Sequence, residues 1–145
     1  MANQRTLAIQ KTIALVAHDK KKDDLVNWAT ENKDLLKTHS IVATGTTGER
    51  IEKEVGIPVT KLLSGPLGGD QQIGAMIAEG KLDMLVFFWD PLEAQPHDSD
   101  VKAVQRLAVA WNVLLASNRT TADFLLRSEL MQKDYKISVP DYSRF

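Results

Sequence analysis

The sequence predicts a single α/β domain over residues 1–145, with a doubly wound, mostly parallel five-stranded sheet and helices on both faces. Two observations support this fold class. Short apolar runs alternate along the chain with longer segments of helical periodicity, which is typical of strands joined by right-handed helical crossovers. The apolar runs are also nearly continuous, as expected for strands that are covered on both faces.

The predicted elements follow one another at regular intervals. We expect strands at residues 12–17, 40–44, 59–63, 84–89 and 113–116, and helices near residues 21–38, 47–55, 71–79 and 100–111. A further helix is expected at 121–130, and residues 136–139 are expected to form an edge strand before Pro140. Gly56 and Gly80 directly follow two of the helices, where a left-handed cap belongs.

Composition excludes several classes of protein. Lys+Arg 18 against Asp+Glu 19 leave a net charge of -1, so no basic surface indicates nucleic-acid binding. The absence of cysteine excludes disulfides, thiolate metal sites and cysteine nucleophiles. Residues 1–10 lack the apolar core of a signal peptide, and no apolar run approaches the ~18 residues of a membrane span. We therefore expect a cytoplasmic protein with no membrane partner.

Polar residues follow the predicted strands at their carboxyl ends, where open α/β sheets bind ligands. These residues are His18 and Asp19, the segments 44–48 and 64–70, Asp90 with the segment 96–100, and finally Ser117 and Asn118. Random placement would distribute such residues over both ends of the sheet. Their convergence on one edge is stronger evidence for a site than any single motif.

Residues 64–72, Ser-Gly-Pro-Leu-Gly-Gly-Asp-Gln-Gln, form the most informative of these segments. A glycine-rich turn that ends on a carboxylate can bring backbone N–H groups and an acid against a small ligand. A purely structural loop would also need the glycines, but it would not need Asp70 followed by two glutamines. The segment alone therefore favours a functional loop over a structural one without deciding between them.

Residues 44–48, Thr-Gly-Thr-Thr-Gly, are interpreted as an anion site at the start of a helix. The segment is neither a Walker A loop nor a dinucleotide fingerprint. The alternative is that Thr46 or Thr47 merely caps its helix. Three consecutive lysines, 20–22, follow Asp19; they are either a solvated face or include one that reaches the anion, and Lys22 is the candidate for the latter.

His97 is the second candidate functional histidine besides His18. A lone histidine in a loop is usually structural, but Asp98 and Asp100 beside it and the stiffening prolines Pro91 and Pro96 favour a functional role. No ligand spacing indicates a metal site. His39 lies at the other end of the sheet and receives no role, and the three tryptophans are expected in the core or in an interface.

Several motifs together resemble the methylglyoxal synthase family. They are Ala-Thr-Gly-Thr-Thr-Gly at 43–48, the segment 64–72, and Phe-Phe-Trp-Asp-Pro at 87–91 followed by Pro96 and His97. The similarity extends from residue 13 to residue 142. The resemblance implies a lyase that converts dihydroxyacetone phosphate to methylglyoxal and inorganic phosphate without cofactor or metal. It also implies a homohexamer that is often inhibited cooperatively by phosphate.

The resemblance also implies roles for individual residues. Asp70 corresponds to the catalytic base, His97 to the electrophile at the substrate carbonyl, and Asp100 is grouped with these catalytic residues. Asp19 and Asp90 match further acids of the family's active site. The implied substrate and phosphate contacts are His18, Lys22, Thr44, Gly45, Thr46, Thr47, Ser64, Gly65 and His97. Some relatives continue into a basic tail beyond the position of Phe145, so contacts made by that tail are not implied here.

Two other functions remain as alternatives. A phosphate-ligand sensor like the regulatory domain of this fold in carbamoyl phosphate synthetase would keep the anion site, but it would not need Asp70 or His97. An isomerase or aldolase would form the same enediolate and then reprotonate it or add to it. Elimination instead requires the bond to phosphate to stand perpendicular to the enediolate plane, an angle that the sequence does not reveal.

Overall fold

The computed structural model describes residues 3–93 and 98–143. Five parallel strands form one sheet in the order β4-β3-β2-β5-β6, and two antiparallel strands, β1 and β7, form a separate ribbon. The strands are β1 (Asn3–Leu7), β2 (Thr12–Ala17), β3 (Ser40–Thr44), β4 (Thr60–Leu62), β5 (Met84–Phe88), β6 (Leu114–Ala116) and β7 (Tyr135–Val139).

Helices connect the strands of the main sheet. They are α1 (Lys22–Glu31), α2 (Lys33–Leu36), α3 (Gly45–Arg50), α4 (Gly69–Ala78), α5 (Asp98–Ala110) and α6 (Arg119–Leu126). A π-helical segment, Ile51–Val55, continues α3, and single 3-10 turns occur at Asp19–Lys21, Gly65–Leu67 and Glu129–Gln132. None of the helices in the described part of the chain is both long enough and apolar enough to cross a membrane.

The two faces of the sheet carry separate hydrophobic cores. In β2, Ile13 and Leu15 face the core that includes Trp28 of α1, whereas Ala14 and Val16 face the core that includes α4 and α5. Successive residues of a strand point to opposite faces, so a continuous apolar run supplies both cores at once. This arrangement confirms the predicted doubly wound fold.

The five predicted strands of the main sheet are all present, each to within one residue at its ends. The helices differ more. The helix expected at 21–38 is interrupted at Asn32, whose amide group donates to the Trp28 carbonyl oxygen. The helix expected at 47–55 begins earlier, at Gly45, and the helix expected at 121–130 ends at Leu126.

The edge strand expected at 136–139 belongs to the ribbon rather than to the main sheet. It forms β7 and pairs with β1 in a register that places Asn3 opposite Val139 and Leu7 opposite Tyr135. The sequence analysis did not predict β1. The two strands are separated by nearly the whole chain, so no local pattern indicates their pairing.

Buried charges connect the ribbon to the amino edge of the main sheet. Arg5 forms a 2.9 Å ion pair with Asp83, and the other carboxylate oxygen of Asp83 accepts the Thr12 N–H at 2.8 Å. Lys11 is only 1% exposed, and its Nζ donates to the carbonyl oxygens of Ala8 and Lys133. These contacts hold both strands of the ribbon against the start of β2.

His39 belongs to the same buried cluster. Its Nδ1 accepts the Lys11 backbone N–H at 2.9 Å. Burial, and then the positive charge of Lys11, lower the pKa of His39 below its ordinary value of 6.5. The folded protein therefore resists protonation of His39, and a proton on Nδ1 would also oppose the Lys11 N–H.

Replacing His39 by Asn should flatten the pH dependence of stability on the acid side. The unfolded chain protonates His39 near pH 6.5, whereas the folded chain does so only at lower pH, so wild type loses unfolding free energy as the pH falls through this interval. Asn keeps an acceptor for the Lys11 N–H but does not titrate. Urea denaturation between pH 8 and 5 gives the free energy of unfolding of both proteins. If this free energy changed with pH equally in both, His39 would not be the group responsible.

Candidate active site

The polar cleft lies where the direction of chain progression across the sheet reverses. From β2 the chain proceeds to β3 and β4 on one side, whereas β5 and β6 lie on the other side. Open α/β sheets bind ligands at such a switch point, outside the carboxyl ends of the strands. The segments after β2 and β5 are joined there, because the His18 N–H donates to Phe88 O at 3.3 Å and the Asp90 N–H donates to His18 Nδ1 at 3.2 Å.

A cleft of about 300 Å³ opens at this edge, a volume at the small end of ligand sites. It contains most of the residues that the sequence analysis selected for a site. The selected residues that line it are His18, Asp19, Lys22, Thr44, Gly45, Thr47, Ser64, Gly65 and Asp70. Val16, Ala17, Pro66 and Phe87 complete its wall.

His18 lies at the centre of the switch point and is only 5% exposed. Because its Nδ1 accepts a backbone N–H, the neutral ring carries its proton on Nε2. Phe87 packs against the imidazole edge to face, with ring centroids 5.3 Å apart. The ring is thus fixed in orientation as a neutral hydrogen-bond donor.

The first anion loop, residues 44–47, leads from β3 directly into α3. Thr44 is the N-cap residue, and no side chain of the described residues forms a cap hydrogen bond there. The alternative that Thr46 or Thr47 caps the helix is therefore wrong. The N–H groups of a first helical turn lack partners within the helix, and the adjoining Thr47 is buried against the cleft.

The second anion loop, Ser64 and Gly65, follows β4 and lies against the first. Gly45 has a φ of +52°, and a Cβ added there would lie 3.0 Å from Ser64 Cβ. The Gly45 N–H donates to Leu63 O at 3.2 Å. This close approach requires glycine at position 45, and it brings the two loops together around one small volume.

The three consecutive lysines point to three different places. Lys22 lines the cleft, where its Nζ donates to Thr46 Oγ1 at 2.8 Å and pairs with Asp19 at 2.9 Å. Lys20 pairs with Glu93, and Lys21 lines a separate cleft beside Trp89. Lys22 is therefore the lysine of this run that lines the cleft, and its contact with an anion stays a prediction.

Asp70 is the second residue of α4 and is 2% exposed. The preceding Gly69 packs so tightly that a Cβ there would lie 2.1 Å from Leu63 O. Asp70 lines the polar cleft and also a neighbouring groove between α4 and α5, which Asp100 lines as well. A carboxylate in the first helical turn is favoured by the helix dipole, which helps to retain it at this depth.

Of the remaining selected residues, the structure describes Thr46, Asp90 and Asp100, and they are not among the residues that line the cleft. Asp90 is buried, and its carboxylate accepts the Leu92 N–H at 3.1 Å. Asp100 reaches Asp70 only through the α4–α5 groove, and Thr46 contacts the cleft through Lys22. His97 lies outside the described residues.

Among the side chains that the structure describes, no three histidine or acidic groups lie close enough together to hold a metal ion. The cleft instead combines a lysine, hydroxyl groups, backbone N–H groups and a buried carboxylate. Such a set can hold a phosphate group on one side and remove a proton on the other.

The sequence analysis missed two kinds of site residue. Phe87 supplies an apolar wall, but inside a continuous apolar strand nothing distinguishes it from a core residue. Gln72 accepts the Leu63 N–H through its side-chain oxygen at 2.8 Å. Its position after Asp70 was noticed, but only the folded loop brings Leu63 within its reach.

Comparisons with known proteins agree with this geometry. The family model described as MGS-like domain matches residues 24–117. The methylglyoxal synthase of Pectobacterium atrosepticum is 55% identical over 141 residues, which cover 97% of this chain and 93% of that protein. The methylglyoxal synthase of Yersinia pestis is 56% identical, with 97% and 92% covered. The crystal structure of methylglyoxal synthase from Elizabethkingia anophelis superposes with a TM-score of 0.92 at 55% identity, covering 97% of this chain and 93% of that one.

Replacing Lys22 by Ala should weaken the binding of inorganic phosphate by about 10- to 100-fold, the range for a hydrogen bond to a charged group. Lys21→Ala is the matched control, because Lys21 has the same charge one residue earlier but lines a different cleft. Isothermal titration calorimetry measures both variants against wild type. Equal losses of phosphate affinity in the two variants would show that Lys22 acts only through its positive charge and makes no specific contact with phosphate.

Proposed function

The chain belongs to the MGS-like family, and we propose that its polar cleft binds dihydroxyacetone phosphate and eliminates the phosphate. The chain is a carbon–oxygen lyase whose products are methylglyoxal and inorganic phosphate. The observation that supports this role for the cleft is the presence of a buried carboxylate, Asp70, beside two anion loops that meet at Gly45.

Asp70 is the proposed base. It removes a proton from the hydroxymethyl carbon of the substrate, and the electron pair of the broken C–H bond moves toward the carbonyl oxygen to form an enediolate. A general base must lie within reach of the proton that it removes. Asp70 lines the same cleft as the two anion loops, and this position supports the assignment.

The phosphate group occupies the proposed anion site formed by residues 44–47, Ser64, Gly65 and Lys22. When the enediolate collapses, the hydroxyl proton passes to the other enediolate oxygen and the oxygen left behind forms the aldehyde carbonyl. The carbon–carbon π pair shifts to the carbon that bears phosphate, and the carbon–oxygen bond to phosphate breaks. Phosphate departs with the electron pair of that bond, and the remaining enol tautomerises to methylglyoxal. Backbone N–H groups and the Lys22 ammonium group around the phosphate stabilise the negative charge that develops on it as it leaves.

The enediolate oxygen requires a hydrogen-bond donor. The family resemblance assigns this role to His97, which we retain as a proposal. His18 supplies a second donor, since the Asp90 N–H on its Nδ1 leaves the proton on Nε2. Neutral imidazole stabilises an oxyanion by donating a hydrogen bond, and it can also pass a proton between the two oxygens.

The regulatory-domain alternative is disfavoured. The relatives that cover 97% of this chain are themselves named methylglyoxal synthases. A domain that only senses a phosphate ligand would also need no carboxylate base in its ligand cleft. Isomerisation remains the chemical competitor, since it shares the enediolate, and the product assay below separates the two.

We also propose a homohexamer whose activity is inhibited by phosphate. Large apolar side chains on the described surface support an assembly: Val109 of α5 is 74% exposed and Phe124 of α6 is 77% exposed. Phosphate is a product and resembles the part of the substrate with the most contacts in the cleft, so it should compete with substrate. Several copies of one site in a symmetric assembly provide the means for cooperative inhibition.

Purified protein in the presence of a chelator should release equimolar methylglyoxal and phosphate from dihydroxyacetone phosphate. Asp70→Asn keeps the side-chain size but removes the base, so its turnover should fall by at least about 10²-fold. Coupled assays of both products measure this, together with exchange of the substrate's carbon-bound protons in deuterium oxide.

Three outcomes of that experiment would contradict the proposal. Glyceraldehyde 3-phosphate as the main product would indicate an isomerase, and loss of activity on chelation would indicate a metal enzyme. Wild-type rates of proton exchange in Asp70→Asn would assign the base to another acid, with Asp100 and Asp19 as candidates. Circular dichroism and retained phosphate binding verify that the variant is folded.

Light scattering after gel filtration should give a mass of about six times 16.1 kDa. Phe124→Asp should lower this mass if α6 faces a neighbouring subunit, because an interface does not accommodate an unpaired buried carboxylate. Lys133→Asp, which introduces the same carboxylate at an exposed position outside α6, should leave it unchanged. A monodisperse monomer of the wild type at micromolar concentration would rule out the hexamer.

A further inference from the structure

Three segments of the cleft meet at the backbone of a single residue, Leu63, directly after the edge strand β4. Its N–H donates to Gln72 Oε1 at 2.8 Å, and its carbonyl oxygen accepts the Gly45 N–H at 3.2 Å. Gly69 lies against the same carbonyl oxygen, at a distance that leaves no room for a Cβ. The Leu63 backbone therefore touches both the first anion loop and the start of α4.

The contacts of Leu63 determine the relative position of the groups that act on the substrate. Ser64 of the second anion loop is the next residue along the chain, and Asp70 is adjacent to Gly69. The Gly69 N–H also donates to Ser64 O at 2.9 Å, which closes the loop between them. A shift of the Leu63 backbone would therefore move the anion loops relative to Asp70.

The Gln72 side chain accepts the hydrogen bond that fixes the Leu63 backbone. Strand β4 pairs with β3 through residues 60–62, and the pairing ends before Leu63. Gln72 lies in α4 two residues after Asp70, so its hydrogen bond links the helix that carries the carboxylate to the chain that enters the second anion loop. Because Gln72 is itself exposed, packing in the core does not account for its position.

We propose that Gln72 is a positioning residue for the reaction. Its amide oxygen fixes the backbone of Leu63, and thereby the distance between the anion loops and Asp70. The loops can then hold the phosphate group while Asp70 removes the carbon-bound proton. This inference rests on the proposed function, because that function defines the groups that Gln72 positions. Gln72 touches neither the substrate nor the base directly; it acts through the backbone between Leu63 and Gly69.

The test uses Gln72→Met, which keeps the length of the side chain and removes the acceptor. Gln71→Met is the matched control, since Gln71 is an exposed neighbour on α4 that faces the α4–α5 groove. Gln72→Glu restores an acceptor oxygen at the same reach. Amide hydrogen exchange at residues 63–69 is measured by mass spectrometry, together with kcat, KM, the phosphate inhibition constant and the thermal midpoint.

Gln72→Met should raise KM and the phosphate inhibition constant by about 3- to 10-fold, the range that one hydrogen bond supports. It should also lower kcat and accelerate exchange at 63–69, while the thermal midpoint stays close to that of Gln71→Met. Gln72→Glu should restore slow exchange and kcat. Should Gln72→Met fail to fold, Gln72→Asn, which is one methylene too short to reach Leu63, takes its place.

Wild-type kinetics and exchange in Gln72→Met would overturn the proposal. So would a fall in thermal midpoint with kcat, KM and phosphate inhibition unchanged, because that result identifies a structural role only. Failure of the proposed function appears differently, as wild-type protein that makes no methylglyoxal. In that case loop exchange and phosphate binding still decide whether Gln72 positions the anion loops.

Discussion

All five strands of the main sheet run in the same direction, and the placement of the cleft depends on this constraint. Parallel strands end at the same edge, so each crossover begins with a segment at that edge whose backbone groups are free to meet a ligand. The reversal of order between β2 and β5 opens a gap there, which His18, directly after β2, spans through its hydrogen bonds to Phe88 of β5 and to Asp90. Without the reversal, a helix would cover this edge and leave no cleft.

Within the cleft, the small size of the substrate demands a close approach of backbone to ligand. Gly45 and Gly69 both lie against the segment of chain formed by Leu63 and Ser64, and a methyl group at either position would collide with it. A cleft formed by main-chain groups presents donors at short range and with little freedom to move. The same segment of chain is bound from α4 as well, because the Leu63 N–H donates to Gln72 Oε1.

The opposite edge of the sheet stabilises the fold. Lys11, His39 and Asp83 form a buried polar cluster there, and Arg5 joins it from the ribbon. Buried charges stabilise only when they are well partnered, and here the partners are mostly backbone groups of residues distant in sequence. The two edges of one sheet thus differ, with the polar cleft at the carboxyl edge and the connection to the ribbon at the amino edge.

The sequence by itself determined the five strands of the main sheet and most of the residues that line the cleft at its carboxyl edge. Strand patterns are local, and parallel connectivity then places the residues that follow each strand together. Lys22 was also a candidate from the sequence, and it lines the cleft, but its contact with an anion stays a prediction. Only the tertiary structure decided the pairing of β1 with β7, the start of α3 at Gly45, and the contact between Gln72 and Leu63. These features depend on groups that meet only when the chain is folded, and no periodicity within a short window encodes them.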